Sequence, residues 1–207
     1  MMEISITNKQ AETIYYTQLS TEVTLQTINQ VKNYFSEEII SRIEAGTNLR
    51  LKTRQYISKA ILIEICKRKN IDPIELRNIY YAKNGKMLFK NNTYYVSMSY
   101  SKNIIACYLG RNKKGLDIEL IDSAVDADKR NLLSQLTEEK INNHLKFYKI
   151  WTTIESLVKY HDNMNMYQIL KNRVWKTMPV NIAKYKTNNI MFSVASENIE
   201  KLKIKKL

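Results

Sequence analysis

Glycine, proline and cysteine are scarce in this chain: four, two and two among 207 residues. So few turn formers exclude a loop-rich all-β fold. Two cysteines cannot build a disulfide framework. Cys66 falls in a helical pattern and Cys107 in a strand pattern, so buried free thiols in a reducing compartment are expected. No apolar run approaches the ~20 residues that a membrane span needs. The opening Met1-Met2-Glu3-Ile4-Ser5 has neither the basic flank nor the apolar core of a secretory signal, which makes a cytoplasmic location the expectation. Acidic residues are also outnumbered, 20 against 33 basic, for a net charge of +13. That excess steers acidic partners at long range, but nucleic acid, an anionic membrane, a polyphosphate ligand and an acidic protein satisfy it equally. Part of it lies in Lys201-Leu202-Lys203-Ile204-Lys205-Lys206, expected as a solvated, frayed tail.

What is present is a globular composition, 44% hydrophobic and 26% charged, sufficient for one domain or two small packed halves. Residues 3–7 alternate and predict a short strand. Leu25, Ile28, Val31, Phe35, Ile39 and Ile43 recur at helical steps, with Thr24 as N-cap and a break near Ser36. A second helix is predicted over residues 52–69, and Asp72-Pro73-Ile74-Glu75 opens a short one. Asn84-Gly85 marks a hairpin-like turn. Residues 93–99 and 104–109 then read as strands around a polar loop, and Leu116-Asp117-Ile118-Glu119-Leu120 alternates strictly. Helix returns from Ala127, with Thr137 as a cap and a further helix over residues 146–161. Residues 180–185 and 190–194 are the last strand candidates. The order predicts an α+β protein in two halves, residues 1–112 and 113–207, meeting near Asn112. No linker separates them.

Asp117 and Glu119 stand two apart on a strand, so both side chains leave the same face. Adjacent carboxylates repel unless a cation lies between them, and a hard divalent ion such as Mg2+ takes oxygen ligands of this kind. Glu155 and Lys159 are four apart on one helix, on a stripe with Trp151. Taken alone, the first pair reads as a solvated strand face and the second as a surface ion pair. Upstream, Gly85-Lys86 and Ser97-Met98-Ser99-Tyr100-Ser101 combine a turn with hydroxyls suited to phosphate oxygens. His144 and His161 lack metal-ligand spacing and are expected at the surface or a helix end. Trp175, with Met164, Met166 and Met178, is expected to pack.

In order and spacing these motifs resemble the 4'-phosphopantetheinyl transferases. That family carries G-K-P, then N-x-S-H-S, then G-(I/V)-D-x-E, and last W-x-x-K-E-(A/S)-x-x-K. Here Gly85-Lys86, Ser97 to Ser101, Gly115-Leu116-Asp117-Ile118-Glu119, and Trp151 to Lys159 stand at those places. The length suits the larger type that activates peptide and polyketide synthetases, built of two similar packed halves with the site between them. The resemblance implies a monomeric enzyme that moves phosphopantetheine from coenzyme A to a serine of an acidic carrier protein, releasing 3',5'-ADP. It makes Asp117, Glu119 and Glu155 the Mg2+ ligands, Glu155 also the base, and Lys159 the group that neutralises the leaving phosphate. Ser99, Tyr100, Ser101, Lys86 and Arg54 would face coenzyme A.

The chain departs from the family pattern where Tyr100 replaces His, Ile154 replaces Lys, Met87 replaces Pro, and Asp162-Asn163-Met164-Asn165 replaces a Gly-rich turn. Losing two phosphate-side cations predicts weaker coenzyme A binding unless nearby lysines compensate. A silent relative acting as an accessory protein is the first alternative. A nucleic-acid-binding protein is the second, motivated by the charge and fourteen tyrosines; against it, the basic residues are dispersed and no aromatic-basic RNA motif occurs.

Overall fold

The structure, a computed structural model, describes residues 12–20, 22–122, 125–162, 164–171, 174–177, 179–198 and 202–207. The strand expected over residues 3–7 lies outside them. The first described element is β1 (Thr13–Gln18). The helical pattern that follows splits as expected into α1 (Leu25–Tyr34) and α2 (Glu37–Glu44). Thr24 accepts from the Thr27 amide and Ser36 from the Ile39 amide, so each helix starts on its own cap. α3 (Leu49–Arg68), capped by Asn48, begins earlier than its apolar pattern, and a 3-10 turn (Pro73–Asn78) capped by Asp72 follows.

Strands β2 (Ile79–Tyr81) and β3 (Met87–Phe89) form a hairpin. Its turn needs Gly85, whose φ of 81° lies where a side chain is strained. β4 (Tyr95–Ser101) and β5 (Ile104–Gly110) pair antiparallel, and Tyr100 and Ser101, expected in the loop, are still strand. β6 (Gly115–Leu120) follows, then α4 (Ala127–Thr137), α5 (His144–Tyr160), and the short α6 (Met166–Lys171) and α7 (Val174–Thr177). The chain ends in β7 (Asn181–Thr187), β8 (Ile190–Ser196) and β9 (Lys203–Lys206).

Two expectations fail locally. Thr137 closes α4 rather than capping a new helix: its hydroxyl donates to the Leu133 carbonyl at 2.6 Å, and Glu138 leaves in the left-handed region. Asn143 starts α5 instead, accepting from the Lys146 amide at 2.8 Å. The basic C-terminus is not a frayed tail over residues 203–206 either, because β9 pairs in parallel with β1. The backbone of an edge strand finds partners whatever its side chains, and Lys203, Lys205 and Lys206 stay exposed.

The protein is thus α+β. One mixed sheet has the order β4-β5-β1-β9, and a second, antiparallel, has the order β6-β8-β7. Val31, Phe35, Ile39, Ile61, Ile65 and Cys66 pack the first sheet onto α1, α2 and α3. Phe147, Ile150, Ile154 and Leu157 of α5 centre another core, against which Met164, Met166 and Trp175 pack; Met178 lies outside the described residues. A third joins the sheets through Ile14, Tyr108, Leu116, Ile118, Phe192 and Val194. Cys66 and Cys107 are free and buried. Burial pushes the Cys66 thiol up to about 12 and that of Cys107 further, so both are inert at neutral pH. Among the described residues no helix is long and apolar enough to cross a membrane.

Candidate functional site

β6 is an edge strand, and every second amide on its free side needs an acceptor. The alternating serines of β4 provide one each. Ser97 Oγ accepts from the Leu116 amide at 2.9 Å, Ser99 Oγ from Ile118 at 3.2 Å and Ser101 Oγ from Leu120 at 2.8 Å. This side-chain ladder stitches the two sheets together and fixes β6 against β4. Leu116 and Ile118 turn into the shared core, so Asp117 and Glu119 turn the other way, toward α5.

On that face β6 lies directly against α5. A Cβ added to Gly115 would come within 2.0 Å of the Ser156 carbonyl oxygen and 2.5 Å of the Tyr160 nitrogen. Thr152 and Ser193 join α5 to β8 through their hydroxyls at 2.7 Å. The close packing places Lys159 beside Asp117, Nζ to Oδ1 2.7 Å, with Ser99 Oγ 2.9 Å from the same nitrogen.

Asp117 is only 4% exposed. Its Oδ1 takes hydrogen bonds from Lys159 and Ser99, while its Oδ2 is buried and has no partner. Glu119 accepts from Ser101 and from the Trp151 side chain. No donor among the described residues hydrogen-bonds Glu155. Burial pushes all three carboxyls above their ordinary range. Asp117 adds to the rise at Glu119 and Glu155, and Lys159 pulls against it throughout. The three groups therefore form one electrostatic unit, although no three acidic, His or Cys side chains among the described residues stand ready as a ligand cluster. The donor set suits a hard cation in kind: carboxylate oxygens only, mutually repelling, one of them buried without a partner.

The remaining sequence-predicted residues surround this unit. Ser99 and Ser101 lie within the ladder, their hydroxyls also donating to Asp117 and Glu119. Lys86, on the β2–β3 hairpin, donates to the Lys159 carbonyl at 2.7 Å, at the C-terminal end of α5, and pairs with Asp162. Asn84 and Lys113 also hold residue 162, so the hairpin is latched to α5. Burial pushes the Asp162 carboxyl up, but Lys113 and Lys86 outweigh it and hold the group below the usual range. Tyr100 carries the Arg54 guanidinium over its ring, 3.5 Å from the centroid. A cation therefore does stand against Tyr100. Ile154 is fully buried in the α5 core, so a lysine there would be costly in this packing. His144 opens α5 on the surface and His161 follows its last residue.

Between α3, the hairpin, β4 and the end of α5 lies a cavity of about 530 Å³. Lys59, Lys86, Lys159, Ser97, Tyr100 and His161 are among its lining residues, and no acidic residue is among them. Arg54 faces a different cavity, beside Lys102 and Leu49. Lys59 was not singled out in the sequence, where it reads as one polar position amid an apolar helix face. It is 1% exposed. No family model matches this chain, and no curated protein matches it.

Proposed function

We propose that the protein is a magnesium-dependent 4'-phosphopantetheinyl transferase acting on coenzyme A and an acidic acyl or peptidyl carrier protein. The observation that carries this reading is the electrostatic coupling of Asp117, Glu119 and Glu155 across β6 and α5, with Lys159 bonded to Asp117, next to a cavity lined by cations alone among its charged groups. Transfer of the arm needs a diphosphate held beside a serine hydroxyl; the cation-lined cavity supports the first and the unengaged Glu155 carboxyl the second. In this reading residues 1–112 and 113–207 form two similar halves with the site between them; the boundary falls in the turn between β5 and β6, and β9 returns to the sheet of the first half.

Asp117, Glu119 and Glu155 would hold Mg2+, which would draw charge from the diphosphate and make the nucleotide a better leaving group. Glu155, unengaged by protein donors and raised by its burial and its acidic neighbours, takes the proton of the carrier serine. That serine oxygen attacks the β-phosphorus carrying the pantetheine arm, and the bond to the bridging oxygen breaks. Lys159 has one N–H left after Asp117 and Ser99, and it donates this to the oxygen on which charge builds as 3',5'-ADP departs. Lys86 positions the end of α5, and Arg54 holds Tyr100 in place.

The test is incubation with Mg2+, coenzyme A and several apo carrier proteins, read by intact-protein mass spectrometry. The expected result is a carrier heavier by one phosphopantetheine, with a loss of at least ~100-fold in rate for Asp117→Ala. If no carrier gains the arm, and Asp117→Ala leaves Mg2+ affinity unchanged by calorimetry, the reading fails.

A further inference from the structure

The cavity beside Lys159 extends to a second cation that none of the roles above uses. Lys59 lies in the middle of α3, where a lysine would be expected to reach solvent. Instead its Nζ is held by Gln55 Oε1 at 2.6 Å and the Tyr81 hydroxyl at 2.7 Å. Both partners are neutral. Among the described residues it has no ion pair, although a buried charge ordinarily requires one. Its cationic surroundings make matters worse: the Arg42 guanidinium lies over the Tyr81 ring, 4.3 Å from the centroid. Burial, then Arg42, lowers the Lys59 ammonium to about 7. An ammonium has three hydrogens, so one remains for a group in the cavity that Lys59 lines. His161 adds an independent sign on the same wall, a buried Nε2 with no partner. The lining has positive charges and unfilled polar positions but no acid.

We propose that Lys59 is a ligand-binding residue, forming with Gln55 and Tyr81 a subsite for a phosphate group of the bound molecule, separate from the one facing Lys159. An organic bisphosphate is the chemical class that the two cations would hold together. Since coenzyme A carries a 3'-phosphate apart from its diphosphate, this deepens the functional reading above and rests on it for the identity of that molecule. The subsite itself rests on the buried cation. An anion there supplies the missing counter-charge, and its charge-assisted bond forms in a desolvated setting where it is strongest. Methionine at position 59 would keep the shape and remove the charge.

Two measurements test this with the full chain. Inorganic phosphate should raise the thermal midpoint of the wild type clearly more than that of Lys59→Met, which keeps only the subsite facing Lys159; equal shifts for both, or none for either, would overturn the subsite. Coenzyme A and 3'-dephospho-coenzyme A are then titrated calorimetrically. The wild type should prefer the former by about tenfold or more, and Lys59→Met should bind the two alike. An undiminished preference in the variant rejects Lys59 while sparing the transferase reading. Failure of the wild type to bind either compound, with the phosphate response intact, rejects the transferase reading while sparing the subsite.

Discussion

At the scale of single residues, this protein keeps ionisable groups where solvation alone would not allow them, Lys59 and Asp117 among them. Below its folded value of about 7, Lys59 is charged in both the folded and the unfolded chain, and the folded state bears the full cost of burying that charge. Between that value and its ordinary one, the unfolded chain keeps the proton and the folded chain sheds it, so the cost shrinks as pH rises. Each unit of such a gap is worth about 1.4 kcal/mol. Lys59→Met removes the charge, and Gln55 and Tyr81 can then bond each other across their present 3.4 Å. The variant should melt several degrees above the wild type near about pH 6. That advantage should narrow by about pH 9 as the wild-type amine loses its proton. Calorimetric melts at both values check it, and a gap that widens with pH would show the sign to be wrong. A residue retained against stability is what function asks of a protein. Asp117 follows the same logic with the opposite charge, its buried Oδ2 lacking the partner that a cation would supply.

At the scale of elements, the contact between β6 and α5 decides where the carboxylates point. Gly115 has no room for a methyl group because backbone, not flexible side chain, lies against it. Gly115→Ala must therefore push β6 away from α5 and should cost about 3 kcal/mol or more. Urea titration would show a lower midpoint with an unchanged slope. A change within about 0.5 kcal/mol would mean that the strand slides without penalty. Here the sequence was informative: the alternation at residues 116–120 gave the strand and the common face, and the four-residue step gave Glu155 and Lys159 one stripe. It was silent where chemistry is ambiguous. Serine at positions 97, 99 and 101 suits a phosphate or a backbone amide equally, and only tertiary placement reveals a ladder to β6. Lys59 could not be read as buried, because a lone polar residue on an apolar face normally snorkels out. β1 and β9 escaped notice for a related reason. Thr13-Ile14-Tyr15-Tyr16-Thr17-Gln18 does not alternate and Lys203-Ile204-Lys205-Lys206 has one apolar residue, so backbone pairing rather than patterning makes them strands.

At the scale of the whole molecule, the net charge of +13 acts on encounter rather than on fold. Cations line the cavity beside Lys159, and others ring one of about 750 Å³, where Arg68, Lys69, Arg111, Lys203 and Lys205 face a single acidic residue, Glu12. Glu12 is itself engaged by Lys114, Tyr108 and Asn112, so it does little to offset the field outside. An acidic carrier protein approaching such a surface is accelerated over distances of about one Debye length, ~8 Å at physiological salt and ~30 Å in dilute buffer. The steering term therefore belongs to the association rate and fades with ionic strength, while short-range contacts that govern dissociation change little. Stopped-flow mixing with an acidic apo carrier should show an association rate falling about tenfold or more from dilute buffer to physiological salt, with dissociation nearly constant. A rate insensitive to salt would remove charge from the recognition mechanism. Tighter, steeply salt-dependent binding to random RNA than to any carrier would instead point to a phosphate backbone as the natural partner of this surface, because each cation that replaces a counterion there steepens the salt dependence of the equilibrium itself.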